Sequence, residues 1–419
     1  MSQFKYRDYQ SKIIDKGTKI LSVSNFVYLA MEVRTGKTLT SLGIAQQMNA
    51  NRVLFVTKKK AISSINDDFE LLDPDFNLFV INYESLHKVV DVTFDVIIID
   101  EAHSLGKYPK PSKRNNEIKR IASKSRGCKF ILLSGTPTPE SYSQMYHQLN
   151  FIPNNPFERY TNFYKFAKDY VNVKLKRIGS MTTNDYSDGK KEILYAIDNY
   201  MISYTQKQAG YKGQVTEHFL NVKMKSMTNK MIQQIKKDRV IEGKNETVLA
   251  DTPVKVLSKV HQMSGGTIKF DSGNTMVFDT SKATFIQQHF ASKKIAIFYK
   301  FKAELDALKD AFGDTITTDL DEFNNTSKNI ALQIVAGREG ISLRKADCLV
   351  MYNVDFSATS YWQSRDRLTT KDREQNDVYW VFSDCGIEKD VYNAVNNKKD
   401  YTLSHFKQKH LKNNQTNLF

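Results

Sequence analysis

In the segment Phe94-Asp95-Val96-Ile97-Ile98-Ile99-Asp100-Glu101-Ala102-His103, an apolar run rich in β-branched residues ends abruptly in two carboxylates. Such a run predicts a buried strand of a parallel sheet, with its polar end at the carboxyl edge where ligands of open α/β sheets bind. Asp100 is then placed to hold Mg²⁺ through water, and Glu101 to orient or deprotonate an attacking water. Taken alone, the pattern also fits a core strand followed by a solvated acidic turn.

A second segment, Met31-Glu32-Val33-Arg34-Thr35-Gly36-Lys37-Thr38, lies upstream, after the apolar stretch Phe26 to Ala30 and before a helix-like stretch. Strand, tight loop and helix form the context that a phosphate-binding loop requires, because backbone N–H groups at the helix start face the phosphates. Lys37 would reach the β- and γ-phosphates, and Thr38 would hold Mg²⁺. The first glycine of the usual pattern is Met31 here, so this segment alone could be a chance Gly-Lys-Thr. The two motifs in this order favour a nucleotide site.

The composition bounds the class of protein. The 419 residues suggest two or three domains, and no uninterrupted apolar segment is long enough to span a membrane. The first residues lack the apolar core of a signal peptide. The three cysteines are far apart and suggest neither a zinc site nor a disulfide framework, so a cytoplasmic location is expected. The net charge of +15 favours polyanionic partners, although a lysine-rich solvated surface is the alternative.

Apolar strand-like runs alternate with helical patterns in two parts of the chain, which predicts an α/β fold with parallel sheets. Three regions are expected: a first α/β domain at residues 1–150, a helical linker or insertion at 151–265, and a second α/β domain at 266–419 with a polar tail. The predicted strands are Phe26–Ala30, Val53–Val56, Leu78–Asn82, Val96–Asp100, Phe130–Ser134, Lys294–Tyr299, Ile330–Val335, Cys348–Asn353 and Val378–Phe382.

Further segments, in chain order, complete a known pattern. They are Tyr6–Gln10 (Q motif), Val53–Lys58 (motif Ia), Ile81–Leu86, Leu133–Pro137 (motif III), Tyr200–Lys207 (a helical linker), Ile295–Lys300 (motif IV), Val335–Leu343 (motif V) and Tyr361–Arg367 (motif VI). With them the chain resembles the superfamily 2 helicase-type ATPases. The branch it resembles most is the Swi/Snf-like DNA translocases in the compact form that phages encode, which would place it in a bacterial host cytoplasm. The resemblance covers nearly the whole chain.

This resemblance implies two RecA-like domains in tandem, with ATP and Mg²⁺ bound in a cleft between them. Gln10 would pair with N6 and N7 of adenine, because its amide offers a donor and an acceptor. The implied nucleotide-binding residues are Gln10, Arg34, Thr35, Gly36, Lys37, Thr38 and Gly340. Thr38 and Asp100 would hold the metal. The implied catalytic residues are Lys37, Asp100, Glu101, Arg367 and Arg365.

Two departures affect the second half. Motif V lacks its usual hydroxyl residue, and the last arginine of motif VI is replaced by Thr370. Arg367 is the expected arginine finger, a guanidinium that stabilises charge on the transferred phosphoryl group. Arg365 is a second candidate. A structural salt bridge to Asp366 or Asp372 is the alternative role for these arginines.

The resemblance implies movement along DNA, duplex or branched, gripped mainly by its phosphates. The candidate contacts are Lys58, Lys59, Lys60 and Arg338, with a solvated lysine loop as the alternative for the three lysines. We expect a monomer, and translocation or remodelling more than processive unwinding. Two rival functions remain open at this point: an RNA-directed helicase, and a non-motor nucleic-acid-binding protein with a regulatory ATP site.

Overall fold

The computed structural model describes residues 4–178, 181–211, 213–243, 246–334, 343–355, 364, 368, 375–393 and 396. Within them the chain divides into two compact units between Gly210 and Tyr211. Each unit contains its own six-stranded parallel sheet. The predicted α/β fold with two parallel-sheet domains is therefore confirmed.

The first unit holds the first sheet. Its helices are α1 (Asp8–Val23), α2 (Lys37–Gln47), α3 (Ile62–Leu72), α4 (Lys113–Lys124), α5 (Met145–Leu149), α6 (Phe163–Tyr170) and α7 (Glu192–Ile197). Its strands are β1 (Phe26–Met31), β2 (Arg52–Thr57), β3 (Asn77–Asn82), β4 (Val96–Ile99), β5 (Lys129–Leu133), β6 (Lys174–Ile178), β7 (Met181–Asp185) and β8 (Met201–Tyr204). The sheet order is β3-β2-β4-β5-β1-β8, and β6 with β7 forms a separate antiparallel hairpin.

The strands β1 and β4 of the first sheet are apolar along their whole length because both faces of the sheet are covered there. All four residues of β4 are buried, and so are all six of β1. Alternate residues enter two different core clusters: Ile97 and Ile99 pack on one face, and Val96 and Ile98 on the other. Parallel pairing aligns the carboxyl ends of these strands at one edge, where polar residues follow β1, β2, β4 and β5.

The prediction of a helical linker at Tyr200–Lys207 is wrong, because Met201–Tyr204 forms strand β8. Met201 and Ile202 are buried in β8, which pairs in parallel with β1 and closes one edge of the sheet. The segment contributes too few apolar residues for a strand period to be visible, and pairing with β1 supplies the backbone hydrogen bonds that select the extended form.

The second unit holds the second sheet. Its helices are α8 (Ser226–Asp238), α9 (Pro253–Ser264), α10 (Ser281–His289), α11 (Lys302–Phe312) and α12 (Leu320–Asn325). Its strands are β9 (Gln214–Val222), β10 (Val240–Glu242), β11 (Thr247–Leu249), β12 (Thr267–Lys269), β13 (Thr275–Val277), β14 (Ile295–Tyr299), β15 (Ile316–Thr317), β16 (Asn329–Gln333), β17 (Cys348–Met351) and β18 (Gln375–Ser383). The sheet order is β15-β16-β14-β17-β18-β9.

Residues 151–265, predicted as one linker region, contribute to both units. β8 belongs to the first sheet, whereas β9 pairs with β18 over nine residues in the second. The physical reason is that each strand completes the edge of a different sheet. Every helix in the described part of the chain is too short or too polar to cross a membrane.

Candidate active site

The loop between β1 and α2 has the strand–loop–helix geometry of a phosphate-binding loop. Gly36 stands at the helix N-cap with φ 78°, a left-handed conformation that favours glycine. A Cβ at this position would also collide with the side-chain amide of Gln10. The left-handed φ is the reason that the loop favours glycine here, and a larger residue would also displace the Gln10 amide. The first N–H groups of α2 and the positive end of its dipole are available to an anion.

Lys37 closes over the start of the same loop. Its Nζ donates to the carbonyl oxygens of Met31, at 3.0 Å, and Glu32, at 3.2 Å. Met31 replaces the usual first glycine, and its side chain is completely buried in the core beneath the sheet. The loop thus uses only the backbone of Met31, which explains how the incomplete motif still forms this structure.

Gln10 connects α1 to the loop. Its Oε1 accepts from the backbone N–H of Arg7 at 3.1 Å, and its Nε2 donates to the carbonyl of Gly36 at 3.4 Å. An amide group has capacity for a further donor and a further acceptor bond. The predicted pairing of Gln10 with adenine is compatible with these contacts and stays a prediction. Nearby, the hydroxyl of Tyr9 donates to the carbonyl of Thr35 at 3.1 Å.

Thr35 and Arg34 shape the rest of the loop. Thr35 is fully buried, and its hydroxyl donates to the carbonyl of Glu32 at 2.7 Å. Arg34 has φ 63°, a conformation uncommon for a residue with a side chain. Thr38 follows Lys37 in the first turn of α2. These residues lie in the loop, as predicted, and their contacts with a nucleotide stay a prediction.

Asp100 and Glu101 stand at the carboxyl edge, immediately after β4. One carboxylate oxygen of Asp100 accepts from the hydroxyl of Thr57 at 2.8 Å, and the other accepts from the N–H of Glu101 at 3.0 Å. The backbone carbonyl of Asp100 accepts from the hydroxyl of the buried Tyr83. Glu101 has φ 51°, so the chain turns sharply at the acidic pair.

The two carboxylates differ in acidity. Burial and the neighbouring charge of Glu101 raise the pKa of Asp100 to about 6, against the opposing hydrogen bond from Thr57. Burial alone would also raise the pKa of Glu101, but the hydrogen bond and charge of His103, with the charges of Lys58 and Lys37, lower it to about 2. Of the two carboxylates, Glu101 is therefore the one held ionised even in acid.

His103 joins the acidic segment to the loop after β5. Its Nδ1 lies 3.2 Å from Glu101 Oε2 and 2.9 Å from Ser134 Oγ. The hydroxyl of Ser134 also accepts from the N–H of Thr136 at 3.1 Å. A Cβ on Gly135 would lie 3.4 Å from the carbonyl oxygen of Met31. The loop after β5 thus contacts both motifs of the site.

The family model described as the SNF2-related domain matches residues 44–264, which is more than half of the chain. The chain belongs to the SNF2-related family. A search of curated proteins found no match.

Solved structures similar to this SNF2-related chain include two of the SWI2/SNF2 ATPase core from Sulfolobus solfataricus. The core in complex with dsDNA has 15% identity and a TM-score of 0.43, over 96% of this chain and 92% of the other. The core domain alone has 16% identity and a TM-score of 0.42, over 95% of this chain and 90% of the other.

Three residues to which sequence reasoning gave no role in the site hydrogen-bond to its residues. Thr57 and Tyr83 hold Asp100, as described above. Gln206, just after β8, donates from its backbone to Glu32 Oε2 at 2.8 Å and from its side chain to the carbonyl of Val33 at 3.0 Å. Thr57 could have been identified from the sequence, because it is a hydroxyl residue at the end of the strand that neighbours the one before Asp100. Gln206 has no local signal, because it reaches the loop only through the pairing of β8 with β1.

The structure separates the three lysines predicted to contact DNA. Lys58 is half-buried and its charge acts on Asp100 and Glu101, whereas Lys59 and Lys60 are exposed.

Four other predicted residues, Arg338, Gly340, Arg365 and Arg367, lie outside the described residues. In the described part of the chain, no three His, Cys, Asp or Glu side chains are grouped as a metal site. A magnesium ion here would depend on Thr38, Asp100, water and phosphate, as is usual for nucleotide enzymes.

Proposed function

We propose that this SNF2-related chain is a DNA-stimulated ATPase that hydrolyses ATP to move along or remodel duplex or branched DNA. The observation that carries the proposal is the proximity of the loop lysine to the acidic pair. β1, β5 and β4 pair in parallel, so the loop of Lys37 after β1 and the acidic pair after β4 stand at the same edge, and the loop after β5 contacts both. Phosphate-binding and water-positioning groups are thus assembled at one edge of one sheet.

The residues present fit a magnesium–nucleotide complex. Asp100 is fixed at both oxygens by Thr57 and the N–H of Glu101, and each oxygen retains a lone pair. Thr38 and Asp100 would hold Mg²⁺, which when bound supplies positive charge to the β- and γ-phosphates. Lys37 would exchange the carbonyls of Met31 and Glu32 for phosphate oxygens. Gly36 leaves the backbone open for phosphate approach.

Glu101 is proposed to orient the attacking water and accept its proton, since its carboxylate is ionised and its position is fixed by His103. His103 also contacts Ser134 in the loop that packs against the phosphate-binding loop. We propose that this contact transmits changes at the γ-phosphate to the loop after β5. Such a step would allow hydrolysis to alter the grip on DNA.

The preference for DNA rests on family membership and on charge. A net charge of +15 and the exposed side chains of Lys59 and Lys60 favour a polyanion. The presence of Lys37, Asp100 and Glu101 together at one edge of the first sheet disfavours the non-motor alternative. No observation favours RNA, so RNA enters as an outcome of the test.

The test measures ATP turnover against single-stranded, duplex and forked DNA and against RNA, with Lys37→Ala as the inactive control. Duplex or forked DNA should stimulate most, and stimulation should fall steeply with salt because phosphate contacts release counterions. Equal or greater stimulation by RNA would replace the proposal with the RNA-directed alternative. Turnover no higher than that of Lys37→Ala under every condition would favour the non-motor alternative.

A further inference from the structure

We propose that Lys58 is a second lysine of the nucleotide site, which binds the γ-phosphate of ATP from the side of the acidic pair. It would then not be a DNA contact like its neighbours. This inference rests on the proposed function, because it needs ATP as the ligand. It assigns to one member of a lysine triplet a role different from the other two.

The register of the sheet supplies the first argument. β2 and β4 pair in parallel with Val56 opposite Ile99, so Thr57, the last residue of β2, and Asp100, the first residue after β4, lie side by side. Their hydrogen bond of 2.8 Å confirms this alignment. Lys58 follows Thr57 as Glu101 follows Asp100. The backbone therefore brings Lys58 to the same edge as the acidic pair.

The backbone after Lys58 supplies the second argument. Lys58 remains extended, with φ −89° and ψ 147°, and a tight turn over Lys59–Ala61 follows at once. The N–H of Ala61 donates to the carbonyl of Lys58 at 2.9 Å. Lys58 is half-buried, while Lys59 and Lys60 lie on the exposed turn. The turn thus separates one lysine that stays at the site from two that face solvent.

Charge supplies the third argument. The half-buried Lys58 adds a positive charge to the edge at which the carboxylates of Asp100 and Glu101 stand. A triphosphate must approach two carboxylates that repel it, and the γ-phosphate carries the charge nearest to the attacking water. Lys37 comes from the phosphate-binding loop. Lys58 comes from the opposite strand, β2, so the two ammonium groups would act on the terminal phosphate from different directions.

The expected property is discrimination between triphosphate and diphosphate. ADP has no γ-phosphate, so loss of Lys58 should weaken binding of a non-hydrolysable ATP analogue and leave ADP binding unchanged. A hydrogen bond to a charged group contributes about 1.5–3 kcal/mol. The analogue should therefore bind roughly 10- to 100-fold more weakly to Lys58→Ala.

The experiment compares Lys58→Ala with Lys58→Arg, Lys59→Ala and Lys60→Ala. Affinity for the analogue with Mg²⁺ and for ADP is measured without nucleic acid, and affinity for duplex DNA is measured as a function of salt. Lys58→Arg should recover much of the analogue affinity. Lys59→Ala and Lys60→Ala should bind both nucleotides as the parent does. Each of these two variants should make the negative slope of log DNA affinity against log salt shallower by about one.

Two results would overturn the inference. One is unchanged analogue affinity in Lys58→Ala together with weaker DNA binding, which would make Lys58 a DNA contact. The other is an equal loss of analogue and ADP affinity, which indicates a general effect on the loop. Failure of the proposed function looks different, because the parent itself would then bind no triphosphate or show no DNA stimulation.

Discussion

His103 Nδ1 lies 2.9 Å from Ser134 Oγ, and this contact joins the acidic segment after β4 to the loop after β5. The same nitrogen lies 3.2 Å from Glu101 Oε2. A single imidazole therefore contacts the water-positioning carboxylate and the loop beside it.

Removing this contact should slow DNA-stimulated turnover without preventing nucleotide binding. A typical hydrogen bond contributes about 1 kcal/mol, so His103→Ala and Ser134→Ala should each lower turnover about fivefold. Steady-state ATPase assays measure the effect. If the two residues act through one contact, the double variant should lose little more than either single variant. Fully additive losses would show that they act separately.

Lys37→Ala should reduce hydrolysis to background, because the loop then lacks the cation for the β- and γ-phosphates. Glu101→Gln should bind ATP normally yet fail to turn over, because an amide cannot accept the proton from water. Paired binding and single-turnover measurements distinguish the two defects. Substantial turnover in both variants would contradict the assignment of the site.

Arg367→Ala should cut DNA-stimulated turnover by roughly 10³-fold or more while leaving much of the ATP affinity in place. Arg367 follows Asp366 and lies four residues after Gln363, as motif VI requires, whereas Thr370 has no charge to offer. Arg365→Ala and Arg373→Ala are the matched comparisons under the same DNA conditions. If Arg367→Ala retains the parent rate and one of these collapses, the motif register is wrong.

Lys282 and Glu388 form a buried ion pair in the second unit, with Nζ to Oε1 2.8 Å and side-chain exposures of 0% and 1%. Glu388→Gln should lower the free energy of unfolding by about 3–5 kcal/mol, because it leaves Lys282 charged without its partner. Lys282→Met combined with Glu388→Leu should recover much of the loss. Both tryptophans, at 362 and 380, fall in the sequence range of this unit, so their fluorescence during denaturation reports on it.

The exposed pair of Lys255 with Asp251 is the control for that experiment. Asp251→Asn should leave the unfolding midpoint unchanged, because solvent screens the two charges. If Asp251→Asn and Glu388→Gln lowered the free energy of unfolding equally, burial of the Lys282–Glu388 pair would have no special effect.

His261 should make the second unit less stable in mild acid. Burial, and then the charge of Lys300, lower the pKa of this residue from 6.5 to about 4. Below pH 6.5 the unfolded chain takes up a proton that the folded chain does not. The free energy of unfolding should therefore fall as the pH drops from 6.5 to 4, by about 3 kcal/mol in total.

The comparison for this prediction is His261→Gln, measured by tryptophan fluorescence at each pH. Glu304, in the same buried network through Asn353, has a pKa raised by burial, so its own contribution has the opposite slope. Subtracting the variant from the parent isolates His261. A parent and variant that lose stability in parallel across this range would contradict the prediction.

The local apolar pattern was sufficient to predict β1, β4 and β5, which three loops of the candidate site follow. Continuous apolar runs predicted β1, β4 and β5 within one residue or so at their ends, because strands buried on both faces have no polar positions to obscure them. Gly36, Lys37, Asp100 and Glu101 follow such strands directly. Their placement at one edge follows from parallel pairing, which the alternation of strands and helices already predicted.

Other features depended on contacts between residues far apart in sequence. β8 is a strand only because β1 offers its edge, and Gln206 reaches the phosphate-binding loop only through that pairing. Lys58, Lys59 and Lys60 are chemically identical in sequence, and only the register of β2 with β4 and the turn that follows place one of them beside the acidic pair. Residue type and local period determined β1, β4 and β5 and the motifs that follow them. The tertiary structure decided which side chains share a site, because that depends on strand order and register, which local sequence does not encode.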